Sequence, residues 1–76
     1  MSEVKHVVFV IYDNPSDYPG RIVVRRNLIL PGRVQVEPVP ECIVDDLAAA
    51  RLCIPEHYVK LRRTPHDDPC IVESWL

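Results

Sequence analysis

Lys5 to Tyr12 (KHVVFVIY) most limits what this chain can become, because its β-branched and aromatic residues pack well on a pleated surface. In a strand its side chains alternate, with His6, Val8, Val10 and Tyr12 on one face and Val7, Phe9 and Ile11 on the other. Both faces are largely apolar. A strand of this kind belongs in the middle of a sheet, covered on one side and partly on the other.

That sheet must be small. Seventy-six residues suffice for one hydrophobic core, and a chain near this size buries only about 60% of the surface its unfolded form exposes. One domain over residues 1–76 is expected. An apolar fraction of 47%, with 26% charged residues of mixed sign, is the composition of a folding chain.

Asp13 to Gly20 (DNPSDYPG) places prolines, a glycine and Asp or Asn residues together, so it reads as a loop. Arg21 to Leu30 returns to strand composition, with Ile22, Val24 and Leu28 facing one way and Val23, Arg25 and Asn27 the other. This second strand is expected to run antiparallel to the first. After the Pro31-Gly32 turn, Val34 and Val36 alternate with polar residues in a short edge strand that Pro38 and Pro40 end. Asp45 or Asp46 can cap a helix over Leu47 to Cys53, with Leu47, Ala50 and Ile54 on one face and Pro55 as its stop. Tyr58 to Arg62 and Ile71 to Leu76 then form a closing hairpin around Arg63 to Pro69.

A net charge of -2 and a pI near 5.8 argue against general affinity for polyanions. The apolar run from Val7 to Tyr12 is too short for a signal-peptide core or a membrane span. Cys42, Cys53 and Cys70 are an odd number, whereas small disulfide scaffolds use an even and denser set, so reduced thiols in a cytoplasm are expected.

Cys53-x3-His57 and His66-x3-Cys70 supply the ligand types of a structural zinc. The plainer reading is buried thiols and surface histidines, since zinc knuckles usually pair cysteines closely; no metal and no cofactor is expected. His66-Asp67-Asp68 resembles a general-base arrangement, yet neighbours in a Pro-flanked turn point in different directions. With no nucleophile elbow, phosphate loop or metalloprotease motif, the chain reads as non-enzymatic. Arg21, Arg25, Arg26 and Arg33, joined by Lys60, Arg62 and Arg63, could build a phosphate-binding patch. Nearby acids and the lack of interleaved aromatics favour a solvated face, so nucleic acid is the alternative partner. Trp75 reads as a core anchor.

Tyr12-Asp13-Asn14-Pro15-Ser16-Asp17-Tyr18-Pro19-Gly20, running into Val23-Val24-Arg25-Arg26, resembles a segment of short proteins of proteobacteria and their phages or prophages. The similarity extends to Ala50, Arg51, Ile54 and Pro55 and to Asp67 through Trp75. It implies a bacterial or phage origin and carries no activity, cofactor or catalytic residue.

The fold expected is α+β, an antiparallel sheet of four or five strands with one short helix on one face, in the order β-β-(β)-α-β-β. Its core would draw on Val7, Phe9, Ile11, Ile22, Val24, Leu47, Ala50, Ile54, Val59, Leu61, Ile71 and Trp75. The expected function is protein-protein contact through Asp13, Asn14, Asp17, Tyr18, Arg25 and Arg26, since a polar loop between rigid strands can recognise a partner without moving. Open sheet edges also make a homodimer a cheap way to satisfy free backbone groups.

Overall fold

The computed structural model describes residues 6–61 and 69–76. Strand β1 (His6–Asp13) lies at the centre and pairs antiparallel with β2 (Ile22–Leu30), from His6 opposite Ile29 to Asp13 opposite Ile22. On its other side β1 pairs antiparallel with β6 (Ile71–Trp75), which takes β5 (Lys60–Leu61) on its outer edge. The far edge of β2 carries β3 (Arg33–Val36) and β4 (Cys42–Val44). The sheet therefore reads β3-β2-β1-β6-β5, with β4 beside β3 along β2.

Six strands form where four or five were expected, in the order β-β-β-β-α-β-β. The physical reason lies at Pro38 and Pro40, which push the chain out of the ladder without ending its run along β2. Glu37 N–H donates to Arg26 O at 3.0 Å before the excursion, and Glu41 N–H donates to Val24 O at 2.7 Å after it. β3 and β4 are thus two halves of one edge interrupted by a proline loop. Between β2 and β3, Pro31 presets φ for a tight turn and Gly32 takes φ +75°, the positive region that the next turn position needs.

Helix α1 (Leu47–Leu52) starts where an aspartate can accept from its free amides: Asp46 Oδ1 takes the Ala49 N–H at 2.7 Å. Pro55 lies just beyond the Cys53 cap and prevents continuation. Six residues do not hold a helix alone, so α1 depends on the apolar face it lays on the sheet. There Phe9, Ile11 and Val24 bury with Ala50 and Ile54, flanked by Val7, Ile22, Cys42, Val44, Leu47, Cys53, Tyr58, Val72 and Trp75. The Phe9 and Tyr58 rings meet edge to face at 4.9 Å.

Three expected core residues lie elsewhere. β6 carries a bulge opposite the Ile11/Tyr12 step, so Val72 packs on the helix-side core and Ile71 pairs with Tyr12 on the opposite face. One extra residue reverses every side chain beyond it. In β5 the alternation is as expected but its sense is inverted. Lys60 shares the helix side with Trp75, while Val59 and Leu61 are exposed at the sheet margin.

The helix-free face has its own buried centre, Val10 and Val23, which the expected one-sided core omitted. Around it Val34, Val36, Ile43, Val59, Leu61 and Leu76 remain exposed.

Candidate functional site

The Asp13 to Gly20 loop is held by its own bonds. Asn14 N–H donates to Arg21 O at 2.9 Å, Tyr18 N–H to Pro15 O at 3.0 Å, and Arg21 N–H to Tyr18 O at 3.2 Å. Asn14 adopts φ +55° and its Oδ1 accepts from Gly20 N–H at 2.7 Å, which ties the two ends of the loop. Asparagine tolerates this conformation because its short amide bonds locally. Asn14→Ala is expected to cost about 1 kcal/mol through positive-φ strain and the lost bond, a fall of roughly 4–8 °C in Tm. Asn14→Gly, which relieves the strain, should cost less; a thermal melt placing alanine at or above glycine would contradict this account.

Pro15 is buried and brings the loop down onto the helix-free face, where Arg25 stands. Arg25 is 8% exposed, and its guanidinium joins two loops. Nη1 donates to Glu37 O at 3.2 Å and Pro38 O at 2.9 Å, inside the proline excursion. Nη2 donates to Asp17 Oδ2 in an ion pair, and the guanidinium carbon lies 5.8 Å from the Tyr18 ring centroid. A buried cation needs such partners. They account for three of its five N–H bonds, and Nε–H has no partner among the described residues.

Beside this cluster opens a cavity of about 220 Å³. Tyr12, Pro15, Ser16, Val36 and Cys70 line it together with the charged pair Arg25 and Asp17. Asp17 is 54% exposed although its partner is buried.

The expected contact residues are thus divided. Asp17, Tyr18 and Arg25 come together, and Asn14 serves the loop that carries them. Asp13 is exposed, and its N–H donates to Cys70 O at 2.7 Å. Arg26 lies on the helix side of the sheet, 3.5 Å from Glu41 and 4.0 Å from Glu37. Consecutive strand residues face opposite ways, so Arg25 and Arg26 do not share a patch. Arg21 is likewise paired, its Nε 2.9 Å from Asp45. Arg62, Arg63 and the His66-Asp67-Asp68 triplet lie outside the described residues.

The expectation of reduced cysteines is corrected. Cys42 and Cys53 form a disulfide, because β4 and the end of α1 meet over the core. The zinc set of Cys53, His57, His66 and Cys70 therefore loses Cys53 as a thiolate, and His66 lies outside the described residues. Among the described residues no group of three or more His, Cys, Asp or Glu side chains could hold a metal ion. Cys70 Sγ lies 3.9 Å from Asn14 O.

Glu73 on β6 is a functional-looking residue that sequence reasoning missed. Its carboxylate is buried on the helix side, where Arg51 Nε donates to Oε1 at 3.1 Å and Arg51 Nη2 to Oε2. Trp75 Nε1 donates to Oε1 at 3.2 Å, and Lys60 Nζ lies 3.7 Å from Oε2. Hydrogen bonding from Arg51 holds this carboxyl below its ordinary range, against the opposing effect of burial. A group saturated in this way is held ionised and joins α1, β5 and β6.

No family model, curated protein or solved structure matches this chain. Among the described residues no helix is long and apolar enough to cross a membrane.

Proposed function

We propose that this chain is a non-enzymatic interaction protein that captures an extended, apolar segment of a protein partner along the open edge of β3. The observation that carries this reading is the exposure of all four β3 residues, with Val34 59% and Val36 49% exposed on the helix-free face. Glu37 pairs with Arg26 through its backbone, so by antiparallel alternation Arg33 and Gln35 also bond inward, and Val34 and Val36 turn their N–H and C=O groups outward. An added strand would satisfy those groups and cover both valines.

Val36 also borders the cavity lined by Arg25 and its ion-pair partner Asp17, so a strand added at β3 would run beside that pair. A bacterial or phage origin, drawn from the Tyr12 to Gly20 resemblance, belongs to the same proposal. The Cys42–Cys53 disulfide favours an oxidising compartment over the cytoplasm expected from the cysteine count, because cytosolic thiol buffers keep such pairs reduced.

Val34→Pro provides the test. Proline there removes an outward N–H and leaves the β2–β3 ladder its bonds. Extended peptides selected from a random library on the wild-type protein should shift the amide resonances of Arg33 to Val36 and lose at least tenfold in affinity for the variant. Ligands that bind both proteins equally, or that map to α1, would refute strand capture. Self-association abolished by Val34→Pro would place a second copy, rather than another protein, on the same edge.

A further inference from the structure

We infer that the Arg25 cavity is a carboxylate-binding site in which Asp17 acts as an exchangeable internal substitute for the ligand. Two ion pairs of this molecule show the contrast. Arg51 grips Glu73 through Nε and Nη2 together, the side-on fork that matches two carboxylate oxygens, and that carboxylate is 7% exposed. Arg25 meets Asp17 through Nη2 alone, and Asp17 remains half in solvent. The Nε–H of Arg25, half of the corresponding fork, has no hydrogen bond among the described residues. The buried cation therefore retains capacity for a second oxygen.

Asp17 can leave without disturbing the guanidinium, because Nη1 stays fixed by the Glu37 and Pro38 carbonyls. The site is built from the proline excursion on one side and the Pro15 loop on the other, so the cation is positioned before any ligand arrives. Exchange of one carboxylate for another conserves the local charge. Pro15 and Val36 give the lining an apolar part beside Tyr12, Ser16 and Cys70, which favours a carboxylate carrying a hydrophobic group over a compact, strongly hydrated anion. Such a group could be a free organic acid or the terminus of a peptide. Occupancy does not require strand capture at β3, and the two are tested by different variants.

Asp17→Asn decides the matter, since it removes the internal competitor at an exposed position. Amide shifts of the intact protein would be followed on titration with sodium benzoate, benzamide, inorganic phosphate, and N-acetyl-Ala-Ala-Val with free or amidated C-terminus. Benzoate or the free-acid peptide should perturb Tyr12, Arg25 and Val36 and bind Asp17→Asn about fivefold more tightly than wild type, the advantage expected when a half-exposed ion pair no longer competes. Tighter binding of the peptide identifies a chain terminus as the source, and tighter binding of benzoate a free acid. Arg25→Lys, which retains charge and loses the fork, should abolish the gain wherever its spectrum stays folded. Equal affinity of wild type and Asp17→Asn would overturn the proposal, as would benzamide or phosphate perturbing the same residues as strongly as the carboxylates.

Discussion

Removing the Cys42–Cys53 disulfide is expected to lower the unfolding free energy by about 3 kcal/mol, the chain-entropy value for closing a loop of this length. For a domain of this size that corresponds to a fall of roughly 15 °C in Tm. The bond matters beyond its loop because of what it joins. Cys42 pairs with Val24 on the edge of the sheet, and Cys53 caps a six-residue helix that nucleation costs would otherwise leave unfolded. Both half-cystines pack on the Phe9, Ile11 and Val24 core. Loss of the bond should therefore loosen α1 first, with hydrogen exchange rising at Ala50 and Cys53 ahead of the β1–β2 ladder. Thermal unfolding with and without reductant, alongside a Cys42→Ala/Cys53→Ala variant, measures the effect. Coincident melts of oxidised and reduced protein would show that the cross-link adds nothing to the folded state.

What the sequence made legible was what local chemistry decides. The apolar faces of β1 placed it at the centre, Pro31-Gly32 and the Asp13 to Gly20 composition marked turns, and Asp46 with Pro55 bounded α1. The features that escaped depend on pairing across the chain. Pro38 and Pro40 read as an end because nothing nearby states that Glu41 will return to Val24. The bulge in β6 is fixed by its register against Ile11 and Tyr12 rather than by any residue of its own. Arg25 and Glu73 each sit in an alternating strand, where a charged residue ordinarily marks the wet face. Their burial follows from partners far along the sequence, Glu37 and Pro38 for one and Arg51 for the other. The candidate site was half visible for the same reason. Loop composition pointed to Asp17 and Tyr18, while the proline excursion whose carbonyls hold the Arg25 guanidinium could not be read locally.

Glu73 carries the second large expectation. Glu73→Gln should destabilise the fold by about 2 kcal/mol, because it exchanges a charge-assisted fork with Arg51 for weaker neutral bonds in a buried setting. The cost is held to that size by the half-exposed positions of Arg51 and Lys60, which return to water when their partner is neutral. Arg51→Met tests the other half of the pair, leaving the buried carboxylate with Trp75 Nε1 and the more distant Lys60. The pH dependence has a definite sign. The folded protein holds the Glu73 carboxyl below its ordinary value of 4.5, so its stabilisation is complete above that pH and is lost as pH falls through the depressed folded value. The gap between wild type and Glu73→Gln should therefore stay constant near neutrality and close in acid. Urea unfolding of both proteins across a pH series reads this directly. A gap that persisted unchanged into strong acid would assign the effect to packing around Trp75 and remove the charge from the explanation.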